Sequence, residues 1–403
     1  MAFTVLHTAD WHLGVRLREL DREAEYTAFL AWLIGVAENE AADLLVVAGD
    51  VFESANPPQS AFKMWYDFLA ALRQRCPQCA VVAVAGNHDS PHVLESASAV
   101  LAGMGVFIIG EMPEDAARCV RVYTDKSGKP ALALAAVPFL RDRDLRSGSV
   151  DFSAETIQTH LREGIRACYD AAGAALAAHR SAGLAIMATG HLTVAGGSVS
   201  ESERDIHVGN LGAVSAEIFG TGFDYVALGH LHRPQRAGSD AVRYSGSPVA
   251  LSFSEWKDVK EIRVLTFENG ALKATRGLPV PVTRPLLRVQ ASVEMLEAEI
   301  LMMPLPESPL PAWLEVTVSP PAEPAAVLAE CIRKALTGRR AELLALRRTG
   351  AATGTASAAS AELHELKPAE VFESLLNAGP LPGAERASLR LTFSQLLDQH
   401  SAA

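Results

Sequence analysis

The sequence predicts an α/β protein with more than one domain, and three observations support this. Strand-like and helix-like patterns alternate through residues 3–85, as expected for a βαβαβ unit with right-handed crossovers. Several apolar runs end abruptly at a glycine or a polar residue, which is typical of strands whose carboxyl ends carry a ligand site. The chain has 403 residues. Because one domain usually has about 100–200 residues, two or three domains are expected.

The N-terminal unit is predicted to contain three strands and two helices. The strands are expected at residues 3–9, 44–48 and 80–85, and the second is a continuous apolar run of the kind buried on both faces of a sheet. The helices are expected at residues 20–41 and 60–75, where apolar residues recur at helical spacing.

The next part of the chain is less regular and then becomes mainly β. An alanine-rich helix is predicted at residues 153–178, with Ser153 as its cap. A hairpin turn is predicted at residues 268–270, and we expect the first domain to span residues 1–277. Further strands are predicted at residues 106–109, 120–123, 131–137, 184–188, 225–228, 242–245, 247–252 and 262–267.

Three segments follow the first domain. Residues 281–348 alternate strands and helices and predict a small α/β domain, whereas residues 349–361 are rich in small residues and indicate a flexible linker. Residues 362–403 predict amphipathic helices that either dock on a partner or fold back as a hairpin, and the pattern leaves both possibilities open. In the small domain, strands are expected at residues 286–291, 313–319 and 342–347, and helices at residues 293–302 and 325–336.

Composition favours a soluble, cytoplasmic protein with no membrane partner. No apolar run approaches the ~18 residues of a membrane span, and the N-terminus begins in a strand pattern without a basic, cleavable leader. Five cysteines, an odd number, argue against a disulfide framework. Cys76 and Cys79 have the spacing of a zinc or redox pair, but no second pair follows at zinc-finger distance, so we assign them no role.

The net charge of −11 argues against a surface that binds nucleic acid, because such surfaces are usually basic. Two features would offset this charge. Divalent cations would neutralise carboxylates at a site, and a partner subunit would supply positive surface.

Metal-binding side chains follow five of the predicted strands, at the first polar positions after each apolar run. Aspartate, asparagine and histidine are ligands that suit manganese, magnesium, iron or zinc rather than soft metals. Because ligand sites of α/β sheets collect at the carboxyl ends of strands, we expect these side chains to meet. They are Asp10, His12, Asp50, Asn87, His191, His230 and His232.

We hypothesise a site for two ions, with the Asp50 carboxylate as a bridge that holds them about 3.5–4 Å apart. Asn87 would bind an ion without adding charge, which keeps the site attractive to phosphate. A divalent ion lowers the pKa of a bound water toward neutrality, which provides a nucleophile for phosphoester hydrolysis. One ion is assigned to Asp10, His12, Asp50 and His232. The other ion is assigned to Asp50, Asn87, His191 and His230.

His88 and Asp89 are predicted to be catalytic. His88 is adjacent to Asn87 and cannot easily face the same ion, so we expect it to protonate the leaving oxygen or to stabilise the phosphate. Asp89 is expected to hold the His88 ring. The alternative is that the two residues only orient Asn87. His7 lies within a strand and is interpreted as a packed core residue.

The order of these motifs along the chain resembles the calcineurin-like metallophosphoesterases. The motifs are D-x-H at 10–12, G-D at 49–50, G-N-H-D at 86–89, G-H at 190–191 and G-H-x-H at 229–232. The resemblance implies a four-layer β-sandwich flanked by helices, followed by a small α/β cap domain and C-terminal helices.

Three longer stretches narrow the resemblance to the bacterial SbcD family of nucleases. They are residues 8–14, residues 49–52, and residues 244–248 with 251–253. This resemblance implies two metal ions, with Mn²⁺ expected and Mg²⁺ possible. It also implies exonuclease action on double-stranded DNA ends and endonuclease action on single strands or hairpins, in DNA repair, recombination and replication.

The same resemblance implies partners. Members of the family form a homodimer and join an SbcC-type coiled-coil ATPase in a heterotetramer, and residues 362–403 resemble the segment that grips the ATPase. The alternative is a two-metal phosphoesterase for a small phosphoester or a phosphoprotein, which would need no docking segment.

Five arginines in predicted loops near strand ends are candidates to contact DNA phosphates. The competing interpretation for each is solvated surface charge. The candidates are Arg16, Arg18, Arg141, Arg143 and Arg204.

Overall fold

The structure is a computed structural model of the chain, and it describes residues 2–141, 145, 154–198, 213–319, 323–349 and the single positions 372, 389 and 393. Contacts divide the chain into the units Met1–Thr349 and Gly350–Ala403. In the second unit, the rings of Phe372 and Phe393 stack with their centroids 3.9 Å apart. The rest of this unit lies outside the described residues, so the flexible linker and the docking helices stay predictions.

The first sheet has six strands, which in spatial order are β14 (Ala271–Pro279), β13 (Glu261–Glu268), β1 (Phe3–Thr8), β4 (Leu44–Ala48), β5 (Ala80–Val84) and β6 (Val106–Ile109). Strands β1, β4, β5 and β6 are parallel, and β13 and β14 complete the sheet in antiparallel pairs. The parallel strands all end at one edge. The loops that carry Asp10, Asp50 and Asn87 therefore lie side by side.

The second sheet also has six strands, in the order β11 (Gln235–Ala237), β12 (Ser239–Tyr244), β10 (Tyr225–Gly229), β9 (Ala185–His191), β8 (Pro130–Ala135) and β7 (Val120–Thr124). Strands β12, β10, β9 and β8 are parallel, and the two edge strands are antiparallel to their neighbours. The adjacent strands β9 and β10 bring His191, His230 and His232 to the same edge.

The two sheets face each other across a mainly apolar core that includes Val46, Val84 and Met187. Two helices, α1 (Glu23–Asn39) and α2 (Gln59–Arg75), cover the outer face of the first sheet. The helix α5 (Ala154–Ser181) covers the second sheet. The predicted four-layer α/β sandwich is thereby confirmed. No helix in the described ranges is both long and apolar enough to cross a bilayer.

Shorter elements complete this part of the chain. The sequence patterns did not predict them, because each has too few residues to show a periodicity. They are the hairpin of β2 (Arg16–Leu17) and β3 (Leu20–Asp21), the helices α3 (Pro91–Glu95) and α4 (Ser98–Ala102), and the 3-10 turns Ala116–Cys119, Ala216–Phe219 and Phe253–Glu255.

The small α/β layer has a parallel sheet of β15 (Leu286–Ala291), β16 (Ala312–Val318) and β17 (Ala341–Arg348), with the helices α6 (Leu296–Met302) and α7 (Ala325–Ala335). Its core includes Ile300, Leu314 and Ile332, each fully buried. Every strand and helix predicted for this region is present, with shifts of one to three residues at some ends.

One predicted strand, residues 247–252, is wrong. The backbone amides of this segment do not pair with a neighbouring strand. The Ser247 amide donates to the carbonyl oxygen of His232, and the Leu251 amide donates to the Glu255 carboxylate. Pro248 has no amide hydrogen to give to a ladder. The segment is a loop that wraps the second sheet's site residues.

Candidate metal centre

The backbone at the site is held in an uncommon conformation. Asp10, His12, Asp50 and His230 all have positive φ values, of 54°, 49°, 48° and 102°. Such values cost on the order of 1–3 kcal/mol each in residues other than glycine and gather at functional sites. The loops also bind each other, since the Asp10 amide donates to the Gly49 carbonyl oxygen and the His12 amide donates to that of Asp50, both at 3.0 Å. The strained residues therefore lie in loops that are held in place by hydrogen bonds to each other.

Two glycines leave the space into which the site residues fit. A Cβ on Gly49 would lie 2.1 Å from Nδ1 of His191, and Gly49 also has a φ of +94°. A Cβ on Gly86 would lie 2.1 Å from Oδ1 of Asp50. Both positions need glycine because a larger residue would occupy the volume of a site residue.

The structure brings the other six proposed ligands together around Asp50. Asp50 Oδ2 lies 3.3 Å from Nε2 of His191 and 3.7 Å from Nε2 of His12. The Asn87 side-chain oxygen lies 2.9 Å from Nε2 of His191. The histidine rings form two neighbouring pairs, with centroids 5.1 Å apart for His12 and His232 and 5.5 Å apart for His191 and His230.

The donor set fits divalent ions. Oδ2 of Asp10 and Nε2 of His12 are buried and have no hydrogen-bond partner in the part of the chain that the structure describes. Ligand atoms of Asp10, His12 and Asp50 all lie within 4.8 Å of one another. Buried polar atoms without a partner are costly, and a cation would satisfy both atoms at once.

Charge at the site points the same way. Burial lowers the pKa of His12, but its hydrogen bond to Glu53 and the charge of Asp50 outweigh burial and raise that pKa to about 9. Burial also lowers the pKa of His191, and the Asp50 carboxylate raises it to about 9. Burial raises the pKa of Asp50, yet the neighbouring His191 and His12 hold it well below its usual value. The carboxylates thus attract positive charge, which a divalent ion would provide in place of protons.

Hydrogen bonds to Nδ1 fix three of the histidine rings. Nδ1 of His12 lies 2.8 Å from Oε2 of Glu53, and Nδ1 of His232 lies 3.2 Å from Oε1 of Glu255. The Nδ1–H of His191 donates to the carbonyl oxygen of Ala48 at 3.0 Å. Such contacts fix the tautomer, so Nε2 is the ring atom that would bind a metal ion.

The sequence interpretation did not include Glu53 or Glu255. Glu53 could have been found as a carboxylate three residues after Asp50, at the end of the same short motif. Glu255 lies 23 residues from His232, and no spacing rule links them.

Asp89 does not hold the His88 ring, so this part of the interpretation is wrong. Both oxygens of Asp89 accept backbone amides, from Val51, Phe52 and Gly86 at 2.9–3.1 Å. Burial and then the charge of Asp50 raise the pKa of Asp89 to about 6. The His88 ring is oriented instead by the Glu53 carbonyl oxygen, which accepts from Nδ1 at 2.6 Å. Asp89 therefore braces the loops after β4 and β5.

Three of the five arginines predicted to contact DNA lie among the described residues. Arg141 is partly buried next to the site, where it donates to the Asp89 carbonyl oxygen at 2.9 Å. Arg16 is exposed in the β2–β3 hairpin and pairs with Glu19 at 3.4 Å, and Arg18 lies at the turn of that hairpin. Arg143 and Arg204 lie outside the described residues.

The fold and the site define a calcineurin-like phosphoesterase. The family model of that description matches residues 3–234. A second model, described as the type 5 capsule protein repressor C-terminal domain, matches residues 282–378. Membership in the first family implies divalent metal ions.

Curated relatives narrow the assignment. The D subunit of the SbcCD nuclease of Escherichia coli (strain K12) is 36% identical over 317 residues, which cover 78% of each chain. The protein of the same name from Rhodobacter capsulatus is 37% identical over 76% of this chain and 77% of its own, and that of Bacillus subtilis is 33% identical over 72% of each. The chain belongs to the SbcD family of nuclease subunits.

Proposed function

We propose that this chain is the nuclease subunit of an SbcCD-type complex and hydrolyses DNA phosphodiester bonds with two divalent ions. The observation that carries the proposal is the convergence of six side chains with oxygen or nitrogen ligand atoms around Asp50. Two of them, Asp10 and His12, have a buried atom that lacks a hydrogen-bond partner among the described residues. The chain's relatives are named as nucleases, which supports DNA as the substrate.

The proposed ligands divide into two sets that share Asp50. Asp10, His12 and His232 would complete one set, and Asn87, His191 and His230 would complete the other. When bound, the ions polarise the phosphate and activate water as the nucleophile. The mixed carboxylate and imidazole set suits Mn²⁺, and Mg²⁺ would bind less well to its histidines.

His88 is the proposed proton-transfer residue. Its Nδ1–H donates to the Glu53 carbonyl oxygen, so Nε2 is the ring atom that exchanges a proton or a hydrogen bond with the substrate. Its ring centroid lies 4.7 Å from that of His12, which puts it beside the first ligand set. Burial lowers the pKa of His88, and an arriving phosphate would favour its protonated form.

We further propose the organisation of the protein and its complex. Residues 1–277 would form the nuclease domain and residues 281–348 the cap, and residues 362–403 would dock on an SbcC-type coiled-coil ATPase beyond the linker at 349–361. Relatives named as components of an SbcCD nuclease support that partner. We propose a homodimer within a heterotetramer, in which basic surface on the ATPase partner would offset the chain's net charge of −11. An odd number of cysteines, five, argues against a disulfide framework and so supports a reducing, cytoplasmic location. We propose a role in DNA repair, recombination and replication there.

The test is cleavage of end-labelled double-stranded and hairpin DNA with Mn²⁺, with and without the ATPase partner. We expect exonuclease and hairpin-opening products that vanish on chelation and return with Mn²⁺. Hydrolysis of small phosphoesters alone, even with the partner present, would contradict the proposal and favour the small-substrate alternative. Separately, unchanged binding of the ATPase after deletion of residues 362–403 would exclude that segment as the dock.

A further inference from the structure

The loop after the second sheet encloses His232 from two sides. The His232 carbonyl oxygen accepts the Ser247 amide at 3.1 Å and the Lys260 ammonium at 2.9 Å. Gly246, with a φ of +76°, passes so close that a Cβ there would lie 2.7 Å from the same oxygen. The backbone of His232 is therefore fixed by residues that belong to neither proposed ligand set.

The ring of His232 is fixed by the same loop. Oε1 of Glu255 lies 3.2 Å from its Nδ1. The other oxygen, Oε2, accepts the Lys260 ammonium at 2.5 Å and the Leu251 amide at 3.1 Å. Lys260 also donates to the Ser247 hydroxyl at 3.0 Å. The network thus starts at one buried ion pair and ends on both the ring and the carbonyl group of His232.

The burial of this pair is unusual for one that serves only stability. Glu255 is fully buried and Lys260 is 7% exposed. Desolvation of two charges offsets much of their attraction, so a buried ion pair by itself is weak support for a fold. By comparison, Glu53, which supports His12, has a side chain that is 33% exposed. A carboxylate that is buried away from water polarises and orients an imidazole more strongly than a solvent-exposed carboxylate does.

We propose that Glu255 and Lys260 are positioning residues for His232: their buried ion pair holds the ring so that Nε2 serves as a metal ligand. The proposal rests on the two-metal site proposed above. Ser247 and Leu251, from the motif at residues 244–248 and 251–253, also bond to this network, so the motif would help to hold one ligand of the ion assigned to Asp10, His12 and Asp50. Loss of the Glu255–Lys260 pair should therefore weaken the binding of one metal ion and leave the binding of the other unchanged.

The test is a titration of the full chain with Mn²⁺, followed by the electron paramagnetic resonance signal of free Mn²⁺, which needs no DNA and no catalysis. The wild type should bind two ions. In Glu255→Gln, we expect one binding step to weaken by roughly 10–100-fold, the usual cost of losing a partner of a metal-ligating histidine. The other step should stay within about twofold. When Co²⁺ replaces Mn²⁺, the ligand-field spectrum should change only for the ion at the site whose binding is weakened.

Glu255→Gln leaves a buried lysine charge unpaired, which alone can unfold a protein. The double variant Glu255→Gln/Lys260→Met removes that charge and should restore folding, yet its weaker step should persist because His232 still lacks its carboxylate. Glu315→Gln is the matched control: Glu315 is 1% exposed and binds Arg288 and Arg347 within the sheet of β15, β16 and β17. It should bind both ions as the wild type does.

Each outcome decides between the alternatives. A double variant that binds both ions as tightly as the wild type overturns the positioning role and leaves the two-metal site intact. If both Mn²⁺ binding steps weaken equally, and the same happens in Glu315→Gln, the cause is general destabilisation of the protein. That result also overturns the positioning role. A folded wild type that binds no ion overturns both this inference and the proposed function.

Discussion

The first sheet brings mainly side chains with oxygen atoms to the proposed metal site, whereas the second sheet brings only histidines. Asp10, Asp50 and Asn87 follow strands of the first sheet, and His191, His230 and His232 lie at the ends of β9 and β10 in the second. His12 is the single imidazole ligand from the first sheet. Neither sheet holds a complete set for one ion, since each proposed set takes ligands from both.

Because of this difference, the site depends on the contacts between the two sheets, here called the joint, as much as on the ligands themselves. Gly229 of the second sheet touches the backbone of Ala48 in the first, and His191 donates to the Ala48 carbonyl oxygen. His7 of β1 contacts the Tyr225 hydroxyl and the Leu228 carbonyl oxygen of β10, at 3.0 and 3.1 Å. These contacts between the sheets set the distance between the proposed oxygen and nitrogen ligands. Substitutions in one sheet and substitutions at the contacts between the sheets should therefore have different effects on cleavage, metal binding and stability.

The largest effect is expected from Asp50→Asn, which removes the bridge between the two sets. We expect DNA cleavage with Mn²⁺ to fall by roughly 10³-fold or more, because metal stabilisation of the transition state is worth several kcal/mol. The measurement is hairpin cleavage with a parallel Mn²⁺ titration. Asp67→Asn, at an exposed pair with Lys63, should change neither. Cleavage near the wild-type rate in Asp50→Asn would refute the bridging role.

Gly229→Ala should be next, because it forces the sheets apart. The new Cβ would lie 2.0 Å from the Ala48 carbonyl oxygen and 2.9 Å from the Ala9 Cβ. Overpacking of this kind costs about 1–3 kcal/mol or more. We expect a lower melting temperature and weaker binding of both ions, although no ligand is changed. Gly222→Ala, which has no heavy atom within 4 Å of its Cβ position, should melt like the wild type. Unchanged metal binding in Gly229→Ala would show that the joint does not set the site.

His88→Gln tests an imidazole of the first sheet that belongs to neither ligand set. Loss of a general acid usually costs 10²–10⁴-fold, so we expect cleavage to fall by roughly 10²-fold or more. Both ions should still bind as in the wild type. Full activity in this variant would remove the catalytic role of His88 and leave the metal assignment untouched.

The smallest effect is expected from His7→Gln, which keeps a donor and an acceptor in the joint. Burial lowers the pKa of His7 from 6.5 to about 3. Between those values the unfolded chain binds a proton that the native protein does not, so His7 costs stability as the pH falls below 6.5. Denaturant unfolding should show that the wild type loses about 1 kcal/mol more than His7→Gln between pH 7 and pH 5.5. Parallel stability curves for the two proteins would show that His7 is protonated normally in the native state.

Much of the fold could be predicted because the signals are local. The run of residues 44–48 is wholly apolar and ends at Gly49, so its strand and its end follow from the sequence. Residues 247–252 show the limit. Their apolar and small residues fit a strand, but the Ser247 amide donates to the carbonyl oxygen of His232, in another loop. The Leu251 amide donates to the side chain of Glu255, just after the segment, instead of to a neighbouring strand.

The sequence by itself determined the layered α/β fold, the strands and helices within residues 286–348, and the presence of aspartate, asparagine and histidine at strand ends. These depend on periodicity and on motifs within a few residues. Only the tertiary structure decided the partners of those residues: Asp89 braces loops and not His88, and Glu255 with Lys260 supports His232. Such contacts join segments brought together by sheet packing, and hydrogen bonds between them leave no periodic trace along the chain.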